Sequence, residues 1–374
     1  MVHAGLRSVA VASTGSRGTS CHKRTFLARS QHRQLPLGPR RPHFAQGSLA
    51  PMRGAAAILG ASLGGALAAS VVAQQYVLQA PARSDKILIS NDDGWAVAQI
   101  RAEYAALKAV GYDVILSAPA ENQSGRGELQ IPALPRSDPC EFDSCPANSG
   151  STGFNASDPR LNWINAFPAD SAEYGINTVA PQFFAGPPDL VVSGPNVGSN
   201  TGLAVFVSGT VGAASKAVQM GVPAIAFSGA DGSTAQEAWT NLVTAPTSPT
   251  VQSAETYAQM TTKFLAALFS QPPASPQLLP ANTVLNVNFP ATSESCTEQT
   301  VQWVLTRAFP TLFKDDVKVC NNGGKLPQEG DVVDAGCYAS VSVLNPTLKL
   351  DASGDIQADV LQRLGALGFT CLPS

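Results

Sequence analysis

Histidine is missing from most of this 374-residue chain, because all four histidines (His3, His22, His32 and His43) lie near its start. The chain beyond residue 73, where we expect the folded domain, has neither a histidine nor a Gly-x-Ser-x-Gly elbow. A Ser-His-Asp hydrolase is therefore excluded. No Gly-x-Gly-x-x-Gly follows the first predicted strand, which argues against a dinucleotide enzyme. A phosphatase of the haloacid-dehalogenase type would place Asp-x-Asp after that strand, and here the two acids are adjacent.

Acidic residues are absent before Asp85, whereas residues 1–73 hold nine of the 24 lysines and arginines. Met52-Arg53, a following apolar run and the ending Val71-Val72-Ala73 have the pattern of a signal peptide that starts at an internal methionine. We therefore expect a secreted protein, with a membrane-anchored or organellar protein as the alternative. The predicted divisions are 1–51 (basic leader or upstream extension of the reading frame), 52–73 (signal peptide), 74–84 (flexible lead-in) and 85–374 (one α/β domain).

The charge of the remaining chain restricts its partners. All 27 acidic residues lie from Asp85 onward, so the predicted mature protein is strongly acidic. Such a protein repels polyanions, and we expect no nucleic acid polymer as a partner. We also expect no membrane contact in the mature form.

Six cysteines follow the predicted signal peptide, and an even number is typical of disulfides in an oxidising compartment. The spacing in "CEFDSC" favours a Cys140–Cys145 bridge, and the other four cysteines leave three pairings open. Buried free thiols are the alternative. Without Cys-x-x-Cys or a histidine here, a structural zinc site is unexpected. Two glycosylation sequons begin at Asn122 and Asn155, and Asn155 is the expected acceptor.

Strands alternate with helices from Lys86 onward, which predicts a Rossmann-like, doubly wound, mostly parallel α/β sheet. "KILISN", "DVILSAP", "DLVVSG", "VPAIAFSG" and "TVLNVNFP" read as strands. Helices are predicted after residue 96, over 209–220 and over 255–270. Residues 127–185 read as a long loop with one short helix. The segment from about 300 to 374 reads as a β-arm or hairpin with a final helix at 355–367.

Three predicted strand ends carry polar residues and glycine: "SNDDG", "SAPAENQSGRG" and "SGPNVGSNTG". On one sheet edge, Asp92 and Asp93 would face Ser124 and Asn196. Two carboxylates with neutral oxygen donors suit a hard divalent cation such as Mg²⁺ or Mn²⁺, which would also offset the repulsion between the acids. Asp-Asp-Gly alone is equally consistent with an ordinary turn.

Ser208, Gly209 and Thr210 stand at the start of the helix predicted over 209–220. Free N–H groups and the helix dipole there suit a phosphate, and the two hydroxyls can donate to it. The alternative is that Ser208 or Thr210 only caps the helix.

Taken in order, "ILISNDDG", "SAPAENQSG", "DLVVSGPNVGSN", "VSGTVGAASKAVQMGVPAIAFS" and "VLNVNFP" resemble the SurE family of survival-protein phosphatases and nucleotidases. The resemblance covers about residues 86–290 and points to a secreted, eukaryotic-type member. It implies a divalent metal and hydrolysis of phosphate monoesters, often nucleoside 5′-monophosphates, by a metal-activated water. It also implies a homodimer or homotetramer.

The family's site residues carry over by position. The metal ligands fall on Asp92, Asp93, Ser124 and Asn196. The phosphate-binding residues fall on Asn91, Asn122, Ser208, Gly209 and Thr210. Of these, Asn91, Asp92, Asp93, Ser208, Gly209 and Thr210 are the predicted catalytic set.

Two departures from the family pattern stand out. Many relatives have acidic residues where this chain has "GLAVFV". Some relatives use a histidine near the C-terminus as the proton donor, and this chain has no histidine after His43. The alternative function is therefore a secreted, non-catalytic binding protein that keeps the fold and the metal site.

Overall fold

The computed structural model describes residues 85–230, 236–270, 277–310, 316–321 and 323–373. The predicted leader, signal peptide and lead-in lie outside these residues, so secretion stays a prediction. Within the described part of the chain, no helix is both long enough and apolar enough to span a bilayer.

A single mixed sheet organises the described residues. Its strands, in chain order, are β1 (Lys86–Ser90), β2 (Asp113–Pro119), β3 (Thr152–Asn155), β4 (Asp158–Ile164), β5 (Leu190–Val197), β6 (Ala224–Gly229), β7 (Val284–Phe289), β8 (Gln302–Thr306) and β9 (Tyr338–Leu344). The order across the sheet is β3-β4-β2-β1-β5-β6-β7-β9-β8. The six strands from β4 to β7 are mutually parallel, while β3 and β9 pair antiparallel to β4 and β7.

Helices cover both faces of the sheet. They are α1 (Ala98–Ala109), α2 (Pro168–Tyr174), α3 (Ala180–Phe184), α4 (Gly209–Gln219), α5 (Asn241–Thr244), α6 (Pro249–Ser270), α7 (Glu329–Val333) and α8 (Gly354–Arg363).

The central strands are apolar on both faces because both are covered. On β1, Ile87 and Ile89 join the core beneath α1, α6 and α8, while Leu88 joins the core beneath α3 and α4. Fully buried parallel strands of this kind carry continuous rather than alternating apolar residues. The predicted doubly wound, mostly parallel α/β fold is confirmed.

The prediction of a long loop over residues 127–185 is wrong. This segment contains β3, β4, α2 and α3, with a π-helical turn between the two helices. Edge strand β3 is only partly buried and so shows no alternating pattern. Pro159 lies near the start of β4, a residue that argues against a strand when the sequence alone is read.

The C-terminal segment also differs from the expectation of an arm or hairpin. Strands β8 and β9 pair with each other in parallel, and β9 pairs with β7, so both extend the main sheet. The final helix, α8, begins at Gly354, one residue before the expected start, and ends at Arg363, before a short 3-10 turn.

All six cysteines of the domain form disulfides. Cys140–Cys145 is the predicted local bridge, and the remaining pairs are Cys296–Cys337 and Cys320–Cys371. The structure thus selects one of the three pairings that the sequence left open.

A buried acid lies between α1 and α6. Glu103 on α1 has no exposed surface, and neither carboxyl oxygen has a hydrogen bond within normal limits. Burial raises the pKa of Glu103 well above its ordinary value, although the nearby Thr261 hydroxyl offsets part of the rise. In the unfolded chain the same carboxyl has a pKa of about 4.3. Above that pH the folded protein keeps a proton that the unfolded chain loses, so this residue lowers stability as pH rises.

Glu103→Gln removes the ionisable group and with it the loss of stability at high pH. We expect the variant to gain unfolding free energy relative to the wild type as pH rises, reaching about 1–3 kcal/mol at alkaline pH. Urea unfolding between about pH 4 and about pH 9 measures the difference. Glu255→Gln on the exposed face of α6 is the matched control and should show no such trend. A stability difference for Glu103→Gln that is the same at every pH would contradict the assignment.

Candidate active site

The site lies where the chain reverses its direction across the sheet. From β1 the chain proceeds outward to β2, and it later returns to place β5 on the other side of β1. Since β1 and β5 are parallel and Ser90 is level with Ser193, residues following both strands meet at one edge. Ligand sites of doubly wound sheets form at such switch points. Here the edge carries Asp92 and Asp93 after β1, and Asn196 at the end of β5.

Asp92, Thr210 and Asn196 form one buried hydrogen-bonded group. The Thr210 hydroxyl lies 2.6 Å from Asp92 Oδ1 and 3.1 Å from Asn196 Oδ1, both of which are acceptors. All three side chains are more than 90% buried. The backbone N–H groups of Gly209 and Thr210, at the start of α4, also bond to the Asp92 carboxylate. The positive end of α4 therefore faces Asp92.

Asp93 is held by donors from two other segments. Val197 N donates to Asp93 Oδ2 at 2.9 Å, which ties the end of β5 to the end of β1. Gln236 Nε2 donates to Asp93 Oδ1 at 2.6 Å. Sequence reasoning missed Gln236, because it lies far along the chain and belongs to none of the three glycine-rich loops.

Burial opposes ionisation of both acids. It raises the pKa of Asp92 above its ordinary value, against the hydrogen bonds from Thr210 and Gly209. Burial, with the adjacent Asp92 charge, raises the pKa of Asp93 to about 7. The two carboxylates are thus neither solvated nor turned outward, and the reading of Asp-Asp-Gly as an ordinary exposed turn is wrong.

The loop after β2 approaches the same edge. Gln123 N donates to the Asp92 backbone carbonyl at 2.7 Å. Asn122 donates from Nδ2 to Gln236 Oε1 at 2.9 Å and accepts from Ser124 N at 2.8 Å. The Asn122 and Ser124 side chains are exposed, unlike the acids, so they lie at the rim of the site.

The predicted phosphate residues already have internal partners. Ser208 is the N-cap of α4, where its Oγ accepts from Val211 N at 3.1 Å. Asn91 donates from Nδ2 to the Gly94 carbonyl at 3.0 Å and accepts from Gly94 N at 3.2 Å, which shapes the turn that carries the acids. Both residues are positioned beside Asp92, and their phosphate-binding role stays a prediction.

The donor set fits a hard divalent cation. Among the described residues, no group of three or more His, Cys, Asp or Glu side chains is placed to hold a metal. The predicted set instead combines two carboxylates with the amide and hydroxyl oxygens of Asn196 and Ser124. No ion pair between described residues involves Asp92 or Asp93. Two buried acids that have no basic partner among the described residues, beside amide and hydroxyl oxygens, suit Mg²⁺ or Mn²⁺.

Comparisons with known proteins show the family of this chain. The family model described as "Survival protein SurE" matches residues 87–313. An acid phosphatase of Yarrowia lipolytica is 34% identical over an alignment of 304 positions, which covers 73% of this chain and 82% of that protein. A 5′-nucleotidase SurE of Solidesulfovibrio magneticus is 36% identical over 146 residues, or 39% of this chain and 51% of that protein.

Among solved structures, the SurE protein from Aquifex aeolicus aligns with 74% of this chain and 98% of its own, at 23% identity and a TM-score of 0.48. The family assignment depends instead on the two sequence results. The family model spans more than half of the chain, and the Yarrowia lipolytica protein matches most of both sequences. This protein therefore belongs to the SurE family.

Proposed function

We propose that this protein is a secreted, divalent-metal-dependent hydrolase of phosphate monoesters, of the acid phosphatase or 5′-nucleotidase type. The observation that carries the proposal is the buried Asp92–Asp93 pair, which meets Asn196 and the start of α4 at the switch point of the sheet. The names of the two relatives, an acid phosphatase and a 5′-nucleotidase, support the reaction class.

Asp92, Asp93, Asn196 and Ser124 would hold the cation, with Mg²⁺ or Mn²⁺ the metals that best suit these oxygens. When bound, such a cation supplies charge stabilisation to the phosphoryl group and acidifies water. Gln236 and Val197 N fix the orientation of the Asp93 carboxylate, and Thr210 fixes Asp92 and Asn196 together. Asp92 or Asp93 accepts the proton of the attacking water.

The phosphate would lie beside the start of α4, where Ser208, Gly209 and Thr210 face Asp92, with Asn91 and Asn122 on the neighbouring loops. The described residues contain no histidine. The leaving group would then receive its proton from water, from an aspartic acid or from the substrate itself. The substrate is a small phosphorylated molecule, with nucleoside monophosphates as one class, and the assembly is a homodimer or homotetramer.

The second candidate is a secreted binding protein that keeps the fold and the metal site without turnover. The absence of histidine favours it. One assay separates the two candidates: release of phosphate from p-nitrophenyl phosphate and from a panel of nucleoside monophosphates. Folded protein that releases no phosphate with Mg²⁺, Mn²⁺ or other divalent metals would support the binding protein.

We expect the wild-type protein to lose phosphate release in EDTA and to recover it when Mg²⁺ or Mn²⁺ is restored. Asp92→Asn removes one charge from the metal site at constant volume, and kcat should fall by roughly 10³-fold or more. The exposed Asp334 provides the matched control, since Asp334→Asn should retain wild-type kcat. Full activity in Asp92→Asn, or activity unaffected by EDTA, would contradict the proposal.

Gly209 permits the close approach of Asp92 to the start of α4. A Cβ at this position would lie 2.7 Å from Asp92 Cβ and 2.7 Å from Pro168 Cγ, too close for either atom. Gly209→Ala should therefore displace the carboxylate and lower kcat/KM by about 10²-fold. Gly186→Ala is the control, because a Cβ there meets no atom within 4 Å. Equal kcat/KM in the two variants would show that Asp92 need not lie against α4.

A further inference from the structure

A small disulfide loop lies beside the metal site but takes no part in the function proposed above. Cys140 and Cys145 close it, and a 3-10 turn over Glu141–Asp143 lies within it. Both cysteines are at least 94% buried, so the loop is packed into the domain.

Glu141 connects the two loops that carry three of the four proposed metal ligands. Its Oε1 accepts from Ala96 N at 3.1 Å, on the segment that follows Asp92 and Asp93. The backbone N–H of Asn122, two residues before Ser124, faces this carboxyl group and lowers its pKa. In addition, Glu141 N donates to the Ala120 carbonyl at 3.2 Å. One side chain thus joins the loop after β1 to the loop after β2.

Glu141 packs closely against the loop after β1. A Cβ on Gly94 would lie 2.0 Å from Glu141 Oε1, so a side chain at position 94 would expel the carboxyl group. Gly94 also has φ +121°, which favours glycine. The neighbouring Trp95 donates from Nε1 to Ser144 Oγ of the same disulfide loop at 2.8 Å. The disulfide loop therefore covers the backbone immediately after the acid pair.

The disulfide supports the conformation that presents Glu141. Phe142 and Asp143, which follow Glu141, both have φ in the left-handed region, at +53° and +54°. Aspartate tolerates this region, but phenylalanine does not, so the conformation of Phe142 persists because the surrounding structure imposes it. Cys140 N also donates to the Cys145 carbonyl across the loop at 3.2 Å. Opening the bridge would free Phe142 to relax, and Glu141 beside it would move.

We propose that Glu141 is a positioning residue, presented by the Cys140–Cys145 loop, that fixes the Asp92–Asp93 segment against the Ser124 loop and thereby sets the affinity of the site for a divalent cation. This inference rests on the proposed function, because the proposed cation is the one held by Asp92, Asp93, Ser124 and Asn196. Glu141 acts through backbone N–H groups and does not itself bind the metal.

The direct test is a Mn²⁺ titration of the purified, secreted protein, followed by the electron paramagnetic resonance signal of free Mn²⁺. Glu141→Ala removes the hydrogen bond to Ala96 N and the contact with Asn122 N, and we expect the Mn²⁺ Kd to rise by about 10–100-fold. Glu141→Gln keeps the volume and one acceptor, so its Kd should lie between the two. Glu255→Ala, on the exposed face of α6, is the matched control and should retain the wild-type Kd.

The disulfide is tested by a mutant cycle. The double variant Cys140→Ser, Cys145→Ser should raise the Mn²⁺ Kd about as much as Glu141→Ala does. Adding Glu141→Ala to that variant should raise it little further, since both changes act through one contact. The control is the double variant Cys320→Ser, Cys371→Ser, which opens an exposed disulfide elsewhere in the domain. Its Mn²⁺ Kd should stay within about 2-fold of the wild-type value. Fully additive effects would overturn the role of the disulfide.

A merely structural role for Glu141 predicts a different result. Val360→Ala in α8 truncates a fully buried side chain that lies outside the loops described above, and it should lower stability without changing the Mn²⁺ Kd. If Glu141→Ala destabilises the protein but leaves the Kd unchanged, the inference is wrong while the proposed function stands. If wild-type protein neither binds Mn²⁺ nor releases phosphate, the proposed function fails and the inference fails with it.

Discussion

The burial of two adjacent carboxyl groups is the constraint on which the rest of this site depends. Asp92 and Asp93 have at most 2% of their surface exposed, and no ion pair between described residues reaches them. Neutral donors hold them instead: a threonine hydroxyl, a glutamine amide and backbone N–H groups. These donors offset only part of the desolvation, since the pKa of both acids remains raised. A bound cation would remove the remaining cost.

The topology explains why such different segments converge. The chain leaves β1 toward β2 and returns to β5 on the other side, which opens a crevice between the ends of β1 and β5. Helix α4 follows β5 and directs its N-terminus at Asp92, while Gln236 follows β6. The donors thus come from two crossovers: Val197 ends β5, Gly209 and Thr210 follow it before β6, and Gln236 lies between β6 and β7. The site therefore requires that β1, β5 and β6 have paired. The Cys140–Cys145 loop adds a further contact from the segment between β2 and β3.

The sequence predicted the parts of the molecule that have local signals. Apolar strands ending in polar residues located Asp92, Asp93 and Asn196, and the helix beginning at Gly209 is confirmed. The disulfide Cys140–Cys145 is confirmed as well, since a six-residue spacing leaves few alternatives. Features without a local signal were missed. Strands β3 and β4 lack the alternation of half-buried strands, and β8 and β9 look like a hairpin because sequence does not reveal that β9 pairs with β7.

Contacts between distant residues could not be predicted at all. Gln236 bonds to Asp93 across 143 positions, and Glu141 bonds to Ala96 across 45. A glutamine or glutamate in a loop is ordinary in any sequence, so only the folded chain reveals these roles. The same holds for Ser208 and Thr210, whose hydroxyls the sequence assigned to phosphate. In the structure the Ser208 hydroxyl accepts from Val211 N, and the Thr210 hydroxyl lies against Asp92 and Asn196.

The central claim is that a divalent cation compensates the buried acid pair. Crystals of the protein grown with Mn²⁺ and measured near the manganese absorption edge test this claim most directly. The account predicts one strong anomalous peak within about 2.0–2.3 Å of oxygens of Asp92, Asp93 and Asn196. Well-ordered crystals with no peak there, or with Mn²⁺ bound only at exposed acids elsewhere, would contradict it.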